Sequence, residues 1–413
     1  MRYRPGANGL HTNIHLEGDP HVVNLLFSAR DFLFGTGRFR LDLNTEGTPA
    51  DLREFITGAD LKLRIDSTRV RYQPGGVYVP VRRFDVTITD EVVDYSLRLL
   101  NAHNRRSVEM TGTLDRLSAF LYPEPHEPFR VTTDFTAQRL HWDDLQGFIQ
   151  TESTATDTAS RDTAAFNPQR ILSATSGIFS SFRPELTLTI DTFETGSFLP
   201  FTNVYSGIRL RDSTALLLEK TGFTLGKGSV EFDASYALDT LRQSPFTVHW
   251  RMDTLVLEEL LPALKNMEIP GLQQAGLLRG RLSTVGTLTG LLDEPTQRIR
   301  FDDAAGAVTY RLTGVELADW PVLEAIGRKA KMKKRFRHLR FADLRGELSL
   351  ADGKLFLPRT EVQSTALQLF VEGYFDPTLG PDLLVSVPLR NIGRGVLTVP
   401  PDTTGHALAG WKV

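Results

Sequence analysis

Apolar and polar residues alternate along most of the chain. Val230–Leu238 shows this most clearly, with an apolar residue at every second position and mainly polar residues between. A strand needs this pattern when one face of its sheet is dry and the other is wet, because successive side chains point to opposite faces. Parallel strands usually read as continuous apolar runs, so the pattern predicts a mainly β, antiparallel fold. The same alternation occurs in Phe39–Leu43, Leu61–Asp66, Val108–Leu114, Leu186–Ile190, Phe246–Met252, Leu344–Leu350, Leu367–Phe375 and Leu383–Leu389.

Helical signals are few and short. We expect helices over Asp143–Ile149 and over Leu257–Leu264. A third should begin at Asp319, a suitable N-cap residue with a proline soon after it, and run towards Lys334. These segments predict that under a fifth of the chain is helical.

The segment Thr151–Thr163 has no large apolar residue. It cannot bury enough surface to offset the entropy lost on ordering, so we expect a mobile loop. We place this loop at residues 151–168, between a first β repeat at 1–150 and a second at 169–270.

Short phrases recur in the same order along the two halves. Phe34–Phe39 and Leu225–Val230 each contain Gly-x-Gly before a strand pattern. Arg64–Ser67 and Arg251–Thr254 share an Arg, an apolar residue, an Asp and a hydroxyl residue, and Thr189–Thr192 ends in the same way. The conserved order predicts a duplicated unit of strand, glycine turn, strand and short helix.

The sequence contains none of the catalytic motifs considered. It has no Gly-x-Ser-x-Gly and no His-Glu-x-x-His, and the absence of cysteine excludes thiolate chemistry and disulfides. Gly222–Gly228 has the wrong spacing for a phosphate loop and predicts a strand, turn and strand instead. The recurring Asp66, Asp191 and Asp253 suggest either paired carboxylates or, as we favour, turn residues at strand ends. We therefore predict a protein that is not an enzyme and uses no cofactor.

Histidines concentrate near the start of the chain. His11, His15 and His21 lie beside Glu17 and Asp19. His11 and His15 would bind one ion only on a helix, whereas the segment has an extended pattern. We expect solvated or hydrogen-bonded histidines and no metal site.

Positive charge is concentrated in one segment of a chain whose net charge is −3. The overall charge argues against a nucleic-acid partner. The basic segment predicts either a surface for anionic lipid or a solvated helix end whose cations suit the helix dipole. The membrane-surface candidates are Arg328, Lys329, Lys331, Lys333, Lys334, Arg335 and Arg337.

Several glycine-containing strand phrases resemble those of a known family. The phrases are Gly276–Gly280, Gly286–Leu288, Leu344–Leu348, Asp352–Leu355 and Val371–Asp376. Together they resemble the C-terminal region of the AsmA-like proteins of the Gram-negative envelope, related to TamB. The resemblance covers about residues 270–395, so we assign 271–413 to this region and expect it to be incomplete at its end.

The resemblance implies a fold, a function and a location. AsmA-like proteins are expected to fold as a long curled sheet with a hydrophobic groove that conducts phospholipid between membranes and supports outer-membrane assembly. The implied partners are phospholipid, a membrane surface and envelope assembly proteins. The implied location is the periplasm, tethered to the inner membrane through a segment that this chain does not contain.

The alternating segments supply the candidates for a lipid groove. Two alternatives stay open, because alternation alone cannot separate them from an open groove. Phe232, Tyr236, Trp250 and Met252 could form the closed core of a β-sandwich. The chain could also be a β-rich scaffold or surface-adhesion protein that binds protein or glycan without lipid. The groove candidates are Leu63, Ile65, Leu188, Ile190, Phe232, Ala234, Tyr236, Val248, Trp250, Met252, Leu369 and Val371.

Overall fold

The computed structural model describes most of the strand-forming segments of the chain. Of the described residues, 85% are in strands and 5% in helices, which confirms the mainly β prediction and its small helical share. Residues described by the structure are 2–6, 9–21, 32–46, 59–72, 77–100, 107–117, 129–144, 182–195, 199–211, 215–237, 243–260, 277–293, 298–319, 328, 333–366, 368–376 and 380–386.

The chain divides into two compact units. The first comprises Met1–Gly196 and Thr202–Glu219, and the second comprises Ser197–Phe201 and Lys220–Val413. The predicted loop at 151–168 lies outside the described residues. The strands of the first unit are β1 (Arg2–Gly6), β2 (Gly9–Gly18), β3 (Phe32–Phe34), β4 (Arg38–Glu46), β5 (Ala59–Tyr72), β6 (Val77–Thr89), β7 (Val92–Leu100), β8 (Ser107–Leu114), β9 (Phe129–His141) and β10 (Phe182–Glu194). All of β11 (Phe201–Arg211) except its first residue also belongs to this unit. β12 (Ala215–Leu225) begins in the first unit and ends in the second.

The first unit is a meander in which strands mostly pair with their neighbours in sequence. β2 pairs with β1 and β4, and the ladder continues antiparallel from β4 to β9. β9 and β10 pair in parallel, an exception to the antiparallel expectation. The connection over residues 142–181 is long enough for the return that a parallel pair requires.

The second unit repeats the antiparallel arrangement. Its strands are β13 (Gly228–Ala237), β14 (Gln243–Val256), β15 (Leu277–Asp293), β16 (Arg298–Ala318), β17 (His338–Arg340), β18 (Leu344–Ala351), β19 (Lys354–Gln363), β20 (Gln368–Asp376) and β21 (Gly380–Ser386). β13 to β16 pair in order, β16 pairs with both β17 and β18, and β18 to β21 pair in order.

The duplicated phrases occupy equivalent positions in the two units. The residue after each Gly-x-Gly pairs with the aspartate of the recurring phrase, Arg38 with Asp66 and Ser229 with Asp253. Ser67 and Thr254 follow those aspartates with the same positive φ of 54°. At Thr254 the register with β15 shifts, so this copy of the phrase forms a β-bulge, whereas β5 and β6 keep their register across Ser67.

The expectation that these aspartates end their strands is therefore wrong. Asp66 lies in the middle of β5, and Asp191 and Asp253 lie inside β10 and β14. A bulge absorbs one extra residue and lets the strand continue. The Gly-rich segment does form the predicted turn, because β12 ends at Leu225 and β13 begins at Gly228, with φ +57° at Gly226.

Helical residues follow strand ends. Residues 142–144 and 257–260 are helical at the starts of two predicted helices, whose remainders lie outside the described residues. Helix α1 (Lys333–Phe336) ends two residues beyond the predicted limit, and Asp319 is a bend whose N–H donates to the Arg337 carbonyl oxygen. Among the described residues no helix is long and apolar enough to cross a membrane.

Tightly packed side chains form local clusters in each unit. In the first unit these are Phe39 with Ile65, and Val108 with Ala137, Leu140 and Ile190. In the second unit they are Leu225 with Val230 and Leu255, and Phe336 with Leu339 and Ala366.

Candidate functional site

The register of the second unit places its apolar side chains on one face. Directly paired residues share a face, and alternate residues along each strand return to it. We call this set the second apolar face, and it contains no charged residue. Its members are Val230, Phe232, Ala234 and Tyr236 on β13, Phe246, Val248, Trp250 and Met252 on β14, Leu282, Thr284, Gly286 and Leu288 on β15, Gly306, Val308, Tyr310 and Leu312 on β16, and Leu344, Gly346, Leu348 and Leu350 on β18.

The first unit has an equivalent surface, the first apolar face. It also lacks charged residues among its members. These are Ile14 and Leu16 on β2, Leu41 and Leu43 on β4, Leu61 and Leu63 on β5, Val86 and Ile88 on β6, Val93, Tyr95 and Leu97 on β7, Met110, Gly112 and Leu114 on β8, Val131, Thr133 and Phe135 on β9, and Leu186 and Leu188 on β10.

Most of both apolar faces is only half-buried. On the second apolar face Val230, Thr284 and Gly286 are buried, and the other members keep part of their surface in contact with solvent. Leu16 on the first apolar face is 43% exposed. The core of a β-sandwich encloses its large apolar side chains between two inner faces, so these exposures are those of a face without a tightly packed second sheet.

The opposite side of the sheet is charged and carries ion pairs both between and within strands. In the first unit Arg40 contacts Glu17, and Arg64 and Arg83 each donate to one oxygen of Asp85, at 2.7 and 2.5 Å. Burial pushes the pKa of Asp85 upward, but the hydrogen bonds and charges of the two arginines outweigh it and leave that pKa below its ordinary value. This side is therefore suited to water.

The predicted groove residues fall into two groups. Ile65 and Ile190 are 0% and 3% exposed and belong to the packed clusters, where Leu63 and Leu188 pack against them. Phe232 and Met252 likewise pack against the cluster of Leu225, Val230 and Leu255. The accessible groove candidates outside the packed clusters are Ala234, Tyr236, Val248 and Trp250 on the second apolar face, and Leu369 and Val371 on β20. The last two share a side of β20 with Phe375, whose partner Leu355 pairs with Leu350.

Aromatic rings lie over glycines of the neighbouring strand, a feature that sequence reasoning missed. Trp250 pairs with Gly286, and a β-carbon on that glycine would overlap the indole ring. The Trp250 Nε1–H donates to Thr284 Oγ1 at 3.1 Å. Tyr310 covers its partner Gly346 in the same way, with 2.6 Å from the hydroxyl oxygen to the position of a β-carbon.

The first apolar face contains a ring of the same kind. Tyr95 lies over its partner Gly112, and its hydroxyl is 2.5 Å from Thr133 Oγ1 on the strand beyond. Burial raises the pKa of this hydroxyl, against the opposing effect of the hydrogen bond. The in-strand glycines were the sequence signal, but only the register shows which ring each one faces.

The basic segment is partly described. Arg328 and Lys334 are exposed, and Arg337 pairs with Asp319 at 3.1 Å. Phe336, 3% exposed, anchors the segment in a packed cluster. The candidates Lys329 and Lys331, and the side chains of Lys333 and Arg335, lie outside the described part.

Two histidines of the amino-terminal segment, His15 and His21, contact neighbouring carboxylates. β2 is extended, as expected, and His15 Nδ1 lies 2.5 Å from Asp42 Oδ1. His15 and Asp42 line a polar cavity of about 580 Å³ on the charged side of the sheet. His21 contacts Asp19, and within the described ranges no group of three or more potential metal-ligating side chains occurs.

Comparison of the chain with family models, with curated proteins and with solved structures gave no match.

Proposed function

We propose that this protein binds phospholipid, with the acyl chains lying against the two apolar faces. The observation that carries the proposal is the contrast between the two sides of the sheet. One side is held by ion pairs such as Arg64–Asp85, whereas the other is uncharged, apolar and only half-buried. Extended apolar surface left in contact with water marks a site for an apolar partner.

The energetics favour a continuous apolar lining for such a ligand. Each methylene exposed to water costs about 0.8 kcal/mol, so a diacyl lipid crosses an aqueous space only if its chains stay covered. Each strand of an antiparallel sheet contributes alternate side chains to one face, so the lining extends with every added strand.

The wider role follows from the resemblance to AsmA-like proteins. We propose that the chain supports phospholipid transport between membranes and outer-membrane assembly, without catalysing a reaction. It would work in the periplasm, tethered to the inner membrane through another segment, with envelope assembly proteins as partners. The exposed Arg328 and Lys334 fit contact with anionic head groups.

Native mass spectrometry of the purified protein tests the binding step. We expect phospholipid to co-purify, and delipidated protein to take it up again from vesicles. Protein that binds a protein or glycan partner but never lipid would instead support the scaffold or adhesion function.

A charge placed on the second apolar face separates an open face from a closed core. Val248 is half-buried and lies outside the packed clusters, so an aspartate there can stay hydrated when lipid is absent. We expect Val248→Asp to melt close to the native temperature and to lose most of its lipid.

Two variants bracket that measurement. Thr247→Asp, on the opposite side of β14 between Ser235 and Thr289, should keep both lipid and stability. Leu255→Asp, in a packed cluster and 4% exposed, should unfold the second unit at a cost of several kcal/mol. A Val248→Asp variant that melts like Leu255→Asp would show that the face is an ordinary core.

A further inference from the structure

The aromatic rings of the apolar faces have an arrangement that alternation does not require. Trp250, Phe246 and Tyr310 on the second apolar face each lie over the glycine directly opposite on the next strand, Gly286, Gly290 and Gly346. Glycine in a strand interior weakens the strand, because it adds backbone freedom and no packing. Three such positions therefore need another explanation.

The opposing glycine leaves room for each ring to lie over the neighbouring strand. A β-carbon at Gly286 would overlap the Trp250 ring, and one at Gly346 would lie 2.6 Å from the Tyr310 hydroxyl oxygen. At Gly290 the gap to the Phe246 ring would be 3.2 Å, which is tight but closer to tolerable. With glycine in place, the rings cover the neighbouring strand instead of standing away from it.

A hydrogen bond directs the Trp250 Nε1–H towards the protein and away from a ligand. The Trp250 N–H is donated to Thr284, itself 8% exposed. The indole therefore presents only carbon to whatever lies above it. An apolar ligand meets no unpaired donor at this ring.

The Trp250 and Tyr310 rings each extend over the strand next to their own. Trp250 extends from β14 over β15 at Gly286, and Tyr310 extends from β16 over β18 at Gly346. Thr284, which accepts the indole hydrogen bond, pairs directly with Tyr310. The two rings are thus consecutive across the strands, over a span of about 14 Å at the usual strand spacing.

This smooth surface suits a flexible chain better than a second sheet. Packed sheets interdigitate large side chains into gaps left by small ones. Here the gaps at the glycines are already filled by the molecule's own rings. A methylene chain needs no such gaps and can contact ring faces along its length.

We propose that Trp250 and Tyr310, lying over Gly286 and Gly346, form the surface that an acyl chain contacts on the second apolar face. The inference rests on the proposed lipid binding and adds the residues that meet the chain and the glycines that set the depth of the site.

Contact quenching of tryptophan tests the proposal. Trp142, Trp320 and Trp411 are replaced by phenylalanine in the full chain, so that Trp250 alone emits. The delipidated variant is loaded from vesicles of phosphatidylcholine with a brominated acyl chain, which quenches tryptophan on contact, and occupancy is measured by native mass spectrometry. We expect loaded protein to lose most of its Trp250 emission.

The matched control moves the fluorophore by one residue to the other side of β14. It carries Trp250→Phe and His249→Trp, and position 249 is exposed on the charged side. Its emission should change little. Bound lipid with an unquenched Trp250, or equal quenching of both variants, would overturn this inference and leave the proposed function standing. A protein that binds no lipid would overturn both.

The glycine has its own test. Gly286→Ala should lift the Trp250 ring and reduce the lipid bound per protein several-fold, whereas Gly290→Ala should reduce it less. Adding Trp250→Leu to Gly286→Ala should restore part of the loss, because the smaller side chain leaves room for the new methyl group. If Gly286→Ala still binds a full complement of lipid, the proposed role of the glycine is wrong. If that variant does not fold, the quenching comparison, which keeps Gly286, decides whether Trp250 contacts the acyl chain.

Discussion

Asp85 lies between two arginines on the charged side of the first unit. Each carboxylate oxygen accepts a hydrogen bond from a different guanidinium, Arg64 or Arg83. The pKa of Asp85 is lower in the folded protein than its ordinary value of 3.8. Its stabilising contribution is therefore fully present above that value and is lost as the pH falls through the folded-state pKa.

Asp85→Asn should lower the melting temperature at neutral pH by an amount that corresponds to at most about 1 kcal/mol, because the pair is partly solvated. The difference between variant and native protein should close as the pH falls below 3.8. Thermal melts across the acid range measure this, with the exposed Asp94→Asn on β7 as control. A gap that stays constant into acid would show that Asp85 acts through packing and not through its charge.

Single residues were predictable from sequence only as far as their side of the sheet. Alternation placed Trp250 and Val248 correctly on one face. It could not show that Ile65 is fully enclosed while Val248 is not, because burial depends on which side chains of different strands pack together in a cluster. The contact of Trp250 with Gly286 depends on register between strands, which no local pattern specifies.

At the scale of strands, the recurring Asp–Ser/Thr phrase has the clearest mechanical role. Thr254 has φ 54° inside β14, a conformation that is costly for a β-branched residue. Its N–H is satisfied by Ser283 Oγ at 3.0 Å, which holds the bulge to the next strand. Asparagine tolerates this conformation better than threonine.

Thr254→Asn should therefore raise the free energy of unfolding by up to about 1 kcal/mol. The matched control is Thr247→Asn in the regular part of the same strand, where loss of a β-branched residue should lower it by a few tenths of a kcal/mol. Denaturant melts of both variants give the comparison. Equal destabilisation in the two would mean that the positive φ at Thr254 carries no strain.

The elements show why a repeated phrase is easier to detect than to interpret. The sequence correctly suggested that Gly37 and Gly228 precede equivalent strands, and the pairings of Arg38 and Ser229 agree. It did not distinguish a turn from a bulge, because both favour a polar residue and a positive φ. Thr192, after Asp191 in the third copy, has no positive φ, so even the phrase does not fix the geometry.

At the scale of the whole molecule, stability should vary along each strand. The packed clusters involve only a few residues of each strand, and most of the remaining apolar face is half-buried. Local opening should be easier where fewer apolar contacts hold the ladder. On β5 and β6 we expect amides near Ile65 and Phe84 to exchange more slowly than those near Leu61 and Ile88.

Native-state hydrogen exchange, read residue by residue, measures that gradient. Bound lipid should slow exchange mainly at the half-buried positions, because the clusters are already protected. Uniform protection along the strands would show that each unit opens only as a whole. Fold class and faces were thus available from the sequence, whereas this uneven distribution arises from long-range pairing and was not.

The meander pairing also determines how such a chain can change in length over evolution. Between antiparallel neighbours, removing or inserting one hairpin leaves the directions of the flanking strands compatible, and each face keeps its polarity. Removing or inserting a single strand makes its neighbours parallel and demands a crossover. Relatives of this protein should therefore differ by even numbers of strands. β9 and β10 are parallel and joined by a long connection. We therefore expect that a single strand was gained or lost at this point during evolution.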